Sequence, residues 1–337
     1  MQMIPYWQSE DGRLTLYHGD VVSVLSQMAD DSVDVLDADP PYFLSNGGTT
    51  CQGGKMVKVD KGTWDKSAGP EAIYEFNKTW LEQVKRLLKP TGSAWVHGTA
   101  HNIYTVGYAA QRLGLHQLNE IVWEKPNPPP NLSCRFFTHS SESILWLSKK
   151  RRAKHVFNYA AMKAATGKQM KSVWRMSAPT RDERNVAEKY PAQKPVGLLQ
   201  RMLRASAPAD GLVVTPFCGS GTSGVAAKTL GLRWVGIDAS IEALEIAKRR
   251  LMAPVELVAT LEPPLATIDT DYDIDLVRVA VVELLSELSE ADRTALIADL
   301  QLRVPCRTCG GDGGLNEQAL YMCDTCDGEG TVPARAA

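Results

Sequence analysis

The chain has 337 residues, enough for two domains or for one large domain with an appendage. Its 44% hydrophobic and 23% charged residues are the balance of a soluble globular protein. No apolar run approaches the length of a membrane span and the N-terminus lacks the regions of a signal peptide, so a cytosolic protein is expected. The formal net charge of −2 conceals an asymmetry. Residues 149–194 hold thirteen Lys and Arg against three acids, a net of +10, while residues 255–302 hold eleven acids against two arginines, a net of −9. The first stretch suits a polyanion and the second would be repelled by one.

In chain order, residues 14–17 predict a strand, 21–28 a helix and 33–36 a short apolar strand. The strand runs into "DADPPY", where Pro40 and Pro41 must end any ladder. Residues 45–54 are glycine-rich and read as a mobile loop. A helix follows over 71–88, ended by "KPTGS", then a strand from 93, a helix over 103–113 and a strand over 119–123. "EKPNPPPN" breaks the pattern and "SESILWLSK" resumes it as a strand. Residues 207–215 lead into "PFCGSGTSG", a helix, the strand "RWVGIDAS" and a last helix to 251. Strands alternating with helices predict an α/β fold with an open, mostly parallel sheet. Residues 252–275 read as a linker, 276–303 as helical, with Ser289 and Asp292 spaced as in a capping box, and 304–333 as a cysteine module.

Gly219-Ser220-Gly221 forms a turn between a strand and a helix, and Asp238 ends the next strand, the place of an acid that binds ribose hydroxyls in nucleotide-binding α/β folds. Taken with "DPPY", this "PFCGSG" resembles the amino-methyltransferases of DNA that use S-adenosylmethionine. "YPAQKP" at 190–195, "HGD" at 18–20 and "NEIVWEKPN" at 119–127 are similar to further segments of that family. "DPPY" precedes "FxGxG", as in the family's β arrangement, and the resemblance covers roughly residues 14–251. "DPPYFLSN" and "PNLSCRFFTHS" look closest to adenine-N6 enzymes of restriction-modification type and their orphan relatives.

The resemblance implies a Rossmann-like methyltransferase domain over 1–251, with a target-recognition insert at about 127–189. It implies catalytic roles for Asp39, Pro40, Pro41 and Tyr42. It implies donor binding by Asp20, Asp39, Gln193, Lys194, Pro216, Phe217, Gly219, Ser220, Gly221 and Asp238. The chemistry agrees. An exocyclic amino group is a poor nucleophile, which two fixed acceptors, Asp39 Oδ and the Pro40 carbonyl, improve. Tyr42 or Phe43 can stack on a base drawn out of the duplex. The loop after Tyr42 reads as a lid over base and donor.

Thr215 stands where the family usually has Asp, and Tyr190 and Ala192 stand where it has His and Thr. Thr215 can still donate or accept one hydrogen bond. Cys218 reads as a small packed residue rather than a nucleophile. In the basic insert, Lys149, Lys150, Arg151, Arg152, Lys154, Lys168, Lys171 and Arg175 are expected on DNA, with Arg135 and His139 extending that surface.

Cys306, Cys309, Cys323 and Cys326 form C-x-x-C-x-G-x-G twice, spacing that suits one tetrahedral Zn2+. These repeats resemble the cysteine-rich domain of DnaJ-type chaperones over about 25 residues, and a protein partner or dimer contact is as open a role as nucleic acid. The expected function is site-specific methylation of adenine N6 in DNA, by an enzyme of bacterial or phage type associated with the nucleoid. Cytosine N4, an RNA base or a protein glutamine are the alternative acceptors, and a non-catalytic DNA-binding adaptor is the alternative of another class. β-type relatives suggest a homodimer.

Overall fold

The structure, a computed structural model, describes residues 3–45, 65–66, 69–187, 190 and 192–254, and the backbone of strands at 49–52, 55–58, 303–305 and 331–333. The chain divides into two units, Met1–Asp269 and Thr270–Ala337.

The first unit opens with Trp7–Gln8 (β1), Leu14–His18 (β2), Val21–Leu25 (α1) and Val33–Ala38 (β3). Thr49–Gln52 (β4) and Lys55–Lys58 (β5) pair as an antiparallel hairpin, where the sequence suggested only a loop. Pro70–Leu87 (α2), Leu88–Gly98 (β6), Ile103–Arg112 (α3), His116–Glu124 (β7) and Ser141–Ser148 (β8) follow. Then come Tyr159–Ala164 (α4), Val173–Arg175 (β9), Arg181–Val186 (α5) and Val196–Ser206 (α6). Leu212–Pro216 (β10), Thr222–Thr229 (α7), Arg233–Asp238 (β11) and Ile241–Met252 (α8) complete it.

A nine-stranded sheet runs β1-β2-β11-β10-β3-β6-β8-β7-β9. Its centre, β2-β11-β10-β3-β6, is parallel throughout. β3 is buried at all six positions, which suits its apolar run "VDVL" to a central strand covered on both faces. Alternate residues feed two cores. Val35, Trp95 and Val213 pack with α6, α7 and α8, while Leu36, Ala94, Val96 and Val214 pack with α1, α2 and α3. Asp20 caps α1 by accepting the Ser23 N–H, and Ser240 caps α8 by accepting that of Ala243.

β6 begins at Leu88, five residues before its predicted start. Pro90 cannot continue α2, and Gly92 passes so close to β3 that a Cβ there would lie 2.7 Å from the Val33 carbonyl, contact only glycine permits. β8 is antiparallel to both β6 and β7. The proline-rich connection from Lys125 to Ser140 contains no crossover helix, so β8 must return in the opposite direction. α6 was not anticipated.

In the second unit Arg303–Pro305 (β12) pairs antiparallel with Thr331–Pro333 (β13). The helices expected over 276–303, the linker and the four cysteines at 306, 309, 323 and 326 lie outside the described residues. Among the described residues no helix is long and apolar enough to cross a membrane.

Candidate active site

β3 and β10 are parallel neighbours, with Val35 opposite Val213 and Leu36 opposite Val214. From β3 the chain crosses through α2 to β6 on one side, and from β10 it crosses through α7 to β11 on the other. The crevice at the carboxyl ends of two such diverging strands is the usual ligand site of an open α/β sheet. Here it sets Asp39-Pro40-Pro41-Tyr42 beside Thr215-Pro216-Phe217 and the glycine turn.

Asp39 keeps 27% of its side chain exposed. Tyr42 donates its hydroxyl to Asp39 Oδ1 at 2.6 Å, and Lys194 donates to Oδ2 at 2.6 Å. The Lys194 ammonium is also 3.1 Å from the Tyr42 oxygen and 3.6 Å from Glu142 Oε2. Glu142 pairs in turn with Lys125. Burial alone would raise the pKa of Asp39, but the Lys194 charge and the hydrogen bonds of Lys194 and Tyr42 outweigh it and hold the carboxyl below its ordinary value. Glu142 is lowered against its own burial by Lys194 and Lys125. Burial pushes Tyr42 well above its ordinary value, with the charges of Asp39 and Glu142 adding to it. Behind them lies a buried pair, His97 Nε2 at 3.0 Å from Asp37 Oδ1. Asn102, itself buried, donates to the Pro41 carbonyl at 3.3 Å and so fixes the Pro-Pro turn from the loop after β6.

Lys194, expected at the methyl donor, pairs here with Asp39, itself one of the expected donor-binding residues; Pro195 after it caps α6. Tyr42 is 7% exposed, with its hydroxyl on Asp39. Phe43, at φ 58°, packs edge-on against Phe76, and its N–H is bound by Asp65. The buried Asp65 carboxylate also accepts the N–H groups of Leu44 and Ser45 and the Ser45 hydroxyl, which ties down the segment leaving the site.

The glycine turn is built for close backbone approach. Gly219 and Gly221 have φ of 51° and 74°, and a Cβ on Gly221 would lie 2.8 Å from that of Ala247. Asp238 accepts the Gly219 N–H at 2.8 Å and the Ser240 N–H at 2.9 Å; burial raises its pKa against those bonds. Buried Arg250, depressed to about 10 by desolvation, holds the turn from below through Ser220 O, Ser220 Oγ and Thr222 Oγ1. Tyr190 covers the turn, since a Cβ on Gly219 would meet its ring at 3.1 Å. A glycine-turn cradle beside a strand-end carboxylate fits a nucleoside-bearing donor.

Thr215 takes no part in that cradle. Its hydroxyl accepts from Trp234 Nε1 and donates to Ser223, both at 2.9 Å, in the buried layer under α7. Phe217 packs against Phe76 and Trp80, and Gln193 donates to the Glu183 carbonyl. Asp20, placed with the donor by the sequence, caps α1 beside Asp238 in the neighbouring strand. Buried Cys218 has its thiol pushed well up by desolvation and is inert.

The basic insert does not form one surface. β8 starts at the active-site edge with Ser141 and ends at the opposite edge with Ser148. Lys149 therefore lies about 24 Å from Glu142 along the strand direction, already paired with Asp31, and Lys150, Arg151, Arg152 and Lys154 follow it beyond the end of β8. β9 runs parallel to β7 and brings Arg175 level with Glu124 at the active-site end, while Lys168 and Lys171 precede the strand. Arg135 and His139 lie in the loop before β8, at the same end.

Glu142, Lys125, His97, Asn102, Asp65 and Arg250 were not singled out from the sequence. Lys125 lay inside the quoted "NEIVWEKPN" without being picked out, and "HG" in "SAWVHG" and "WD" at 64–65 offered a local signal, polar residues set against an apolar strand or a tryptophan.

Residues 33–249 match the N6/N4 DNA methylase family. The chain is 49% identical over 254 residues to Type II methyltransferase M2.DpnII of Streptococcus pneumoniae, covering 75% of this chain and 94% of that protein. It is 45% identical over 251 residues to Type II methyltransferase M2.MboI of Moraxella bovis, covering 74% and 92%. Among solved structures its fold is similar to PvuII DNA methyltransferase (cytosine-N4-specific), with TM-score 0.59, 17% identity and coverage of 76% and 93%. It is also similar to M1.HpyAVI in complex with SAM, with TM-score 0.55, 23% identity and coverage of 71% and 100%. The chain belongs to the N6/N4 DNA methylase family and is an S-adenosylmethionine-dependent DNA methyltransferase.

Proposed function

We propose that the acceptor is the N6 amino group of adenine, rotated out of duplex DNA at a specific sequence. The observation that carries this is Asp39, an ionised carboxylate open to the crevice at the β3–β10 switch point, with the glycine turn and Asp238 alongside. An amino group has two N–H donors, and Asp39 Oδ with the Pro40 carbonyl supplies two acceptors that favour a pyramidal, more nucleophilic nitrogen. Lys194 keeps a carboxylate partner, Glu142 at 3.6 Å, when Asp39 turns to the base. The donor supplies a methyl group on a positively charged sulfur. Gly219, Ser220, Gly221 and Asp238 would hold it, and the nitrogen's surplus proton leaves toward Asp39 or water.

Transfer of tritiated methyl groups to unmethylated genomic DNA, with Asp39→Ala as control, tests the assignment. We expect transfer by the native protein, at least about 100-fold less by the variant, and N6-methyladenine on digestion to nucleosides. Transfer undiminished by the substitution would remove Asp39 from the mechanism. Cytosine N4 is the second reading, because its amino group suits the same acceptors; N4-methylcytosine as sole product would establish it. Relatives named Type II methyltransferases support a place in a restriction-modification system of a bacterial cytoplasm. On the active-site edge, Arg135 and Arg175 are the proposed phosphate contacts, with Lys168 and Lys171 on the approach to β9.

The cysteine module is proposed to hold one Zn2+ through Cys306, Cys309, Cys323 and Cys326. Four thiols in two C-x-x-C knuckles fit a closed tetrahedral site, and the β12–β13 pairing, which joins the module's two ends, supports it. Metal analysis of purified protein is expected to return about one zinc per chain, lost with Cys306→Ser/Cys326→Ser. A metal-free native protein would refute the site.

A further inference from the structure

The connection between β7 and β8 presents large apolar side chains to solvent at the mouth of the active site. Phe137 is 97% exposed, Phe136 59% and Leu132 41%. Scattered apolar residues on a surface need no explanation, but three in one loop beside a catalytic carboxylate do.

The loop's position follows from its two ends. The Lys125 N–H donates to the Ser140 carbonyl at 2.7 Å and closes its foot. The Lys125 ammonium pairs with Glu142, which borders Lys194 and Tyr42. Farther out, Phe136 packs on His139 with centroids 5.4 Å apart, and His139 lies 6.4 Å from His101, the neighbour of the Asn102 that holds the Pro41 carbonyl. The tip is shaped as well. Asn131 accepts from the Ser133 N–H and hydroxyl and donates to the Phe136 carbonyl. Pro128, Pro129 and Pro130 stiffen the rising limb. The turn thus holds Phe136 and Phe137 outward, flanked by exposed Arg135.

A stacked base cannot bring its amino group to Asp39. The base must rotate out, and the gap it leaves in the duplex costs stacking unless something fills it. An exposed aromatic beside a cation, at the rim of the pocket that receives the base, has the chemistry of that filler. We propose that Phe137 enters the base stack at the target position, in the space the rotated base vacates.

The inference rests on the proposed chemistry at Asp39, and its test keeps the two apart. Wild-type and Phe137→Ala protein are compared on two duplexes that carry the mapped methylation site. One is fully paired; in the other the target base faces an abasic position, so that little pairing energy opposes rotation. The expected result is a fall in kcat/KM of about 10-fold or more on the paired duplex and of less than about 3-fold on the unpaired one. Phe137→Trp should keep most of the paired-duplex rate. Donor Kd and melting temperature should match wild type, since the side chain is exposed. Equal losses on both duplexes, or no loss on the paired one, overturn the proposal. If the methylated base proves to be cytosine, the duplexes are rebuilt around it and the comparison stands unchanged.

Discussion

At Asp39 the fold sets a negative charge where burial works against it, and Lys194 is what keeps it there. The sign of its pH dependence follows. A carboxyl held below its ordinary pKa accepts hydrogen bonds down to that lowered value and loses the ability as pH falls through it. With Lys194→Met the burial remains and the compensating charge is gone, so the Asp39 pKa rises. The acid limb of the pH–kcat/KM profile should move upward, with a stability cost of about 3 kcal/mol for a partly stranded charge. An acid limb that does not move would mean that Lys194 does not set the ionisation of Asp39. Asp39, the glycine turn and Asp238 were legible because each sits in a local pattern, a strand end followed by Pro-Pro or Gly-x-Gly. Glu142, Lys125 and Lys194's true partner were not, because what defines them is a meeting of residues up to 155 positions apart. Thr215 shows the opposite limit. Its family position suggested a donor contact, and only the register of β10 against Trp234 reveals that its hydroxyl serves the core.

At the scale of elements, β8 decides which cations lie near the crevice. One strand carries the chain from the crevice to the far edge of the sheet, so a continuous basic run in the sequence becomes two separated groups. Each phosphate contact contributes about 0.9 to the slope of log K against log salt. Arg135→Ala/Arg175→Ala should flatten that slope by nearly two such contacts, while Arg151→Ala/Arg152→Ala should leave it unchanged in fluorescence-anisotropy titrations. The reverse result would put the duplex on the far edge. The direction of β8 could not be read from its own residues, which spell a buried strand in either orientation. It follows from the missing crossover helix, and the prolines at 126–130 hint at that without saying which way the chain turns. α6 was legible in principle, since Leu199, Met202, Leu203 and Ser206 recur at helical spacing and all are buried.

For the molecule as a whole, composition and strand–helix alternation were enough to give a parallel α/β sheet, and the active crevice lies where such sheets place it. The order of strands within the sheet was beyond reach, because pairing is set by which edges remain open once the helices have packed. That order also bears on synthesis. β3 needs β6 on one side and β10 on the other, but β10 begins only at Leu212. At ribosomal rates its second partner arrives roughly ten to forty seconds after β3 is made. During that interval an apolar strand already joined to β6 shows a bare row of N–H and C=O groups, the template for wrong pairing. The nascent chain is therefore exposed to aggregation, and dependent on chaperones, between the emergence of Asp39 and that of the strand beside it.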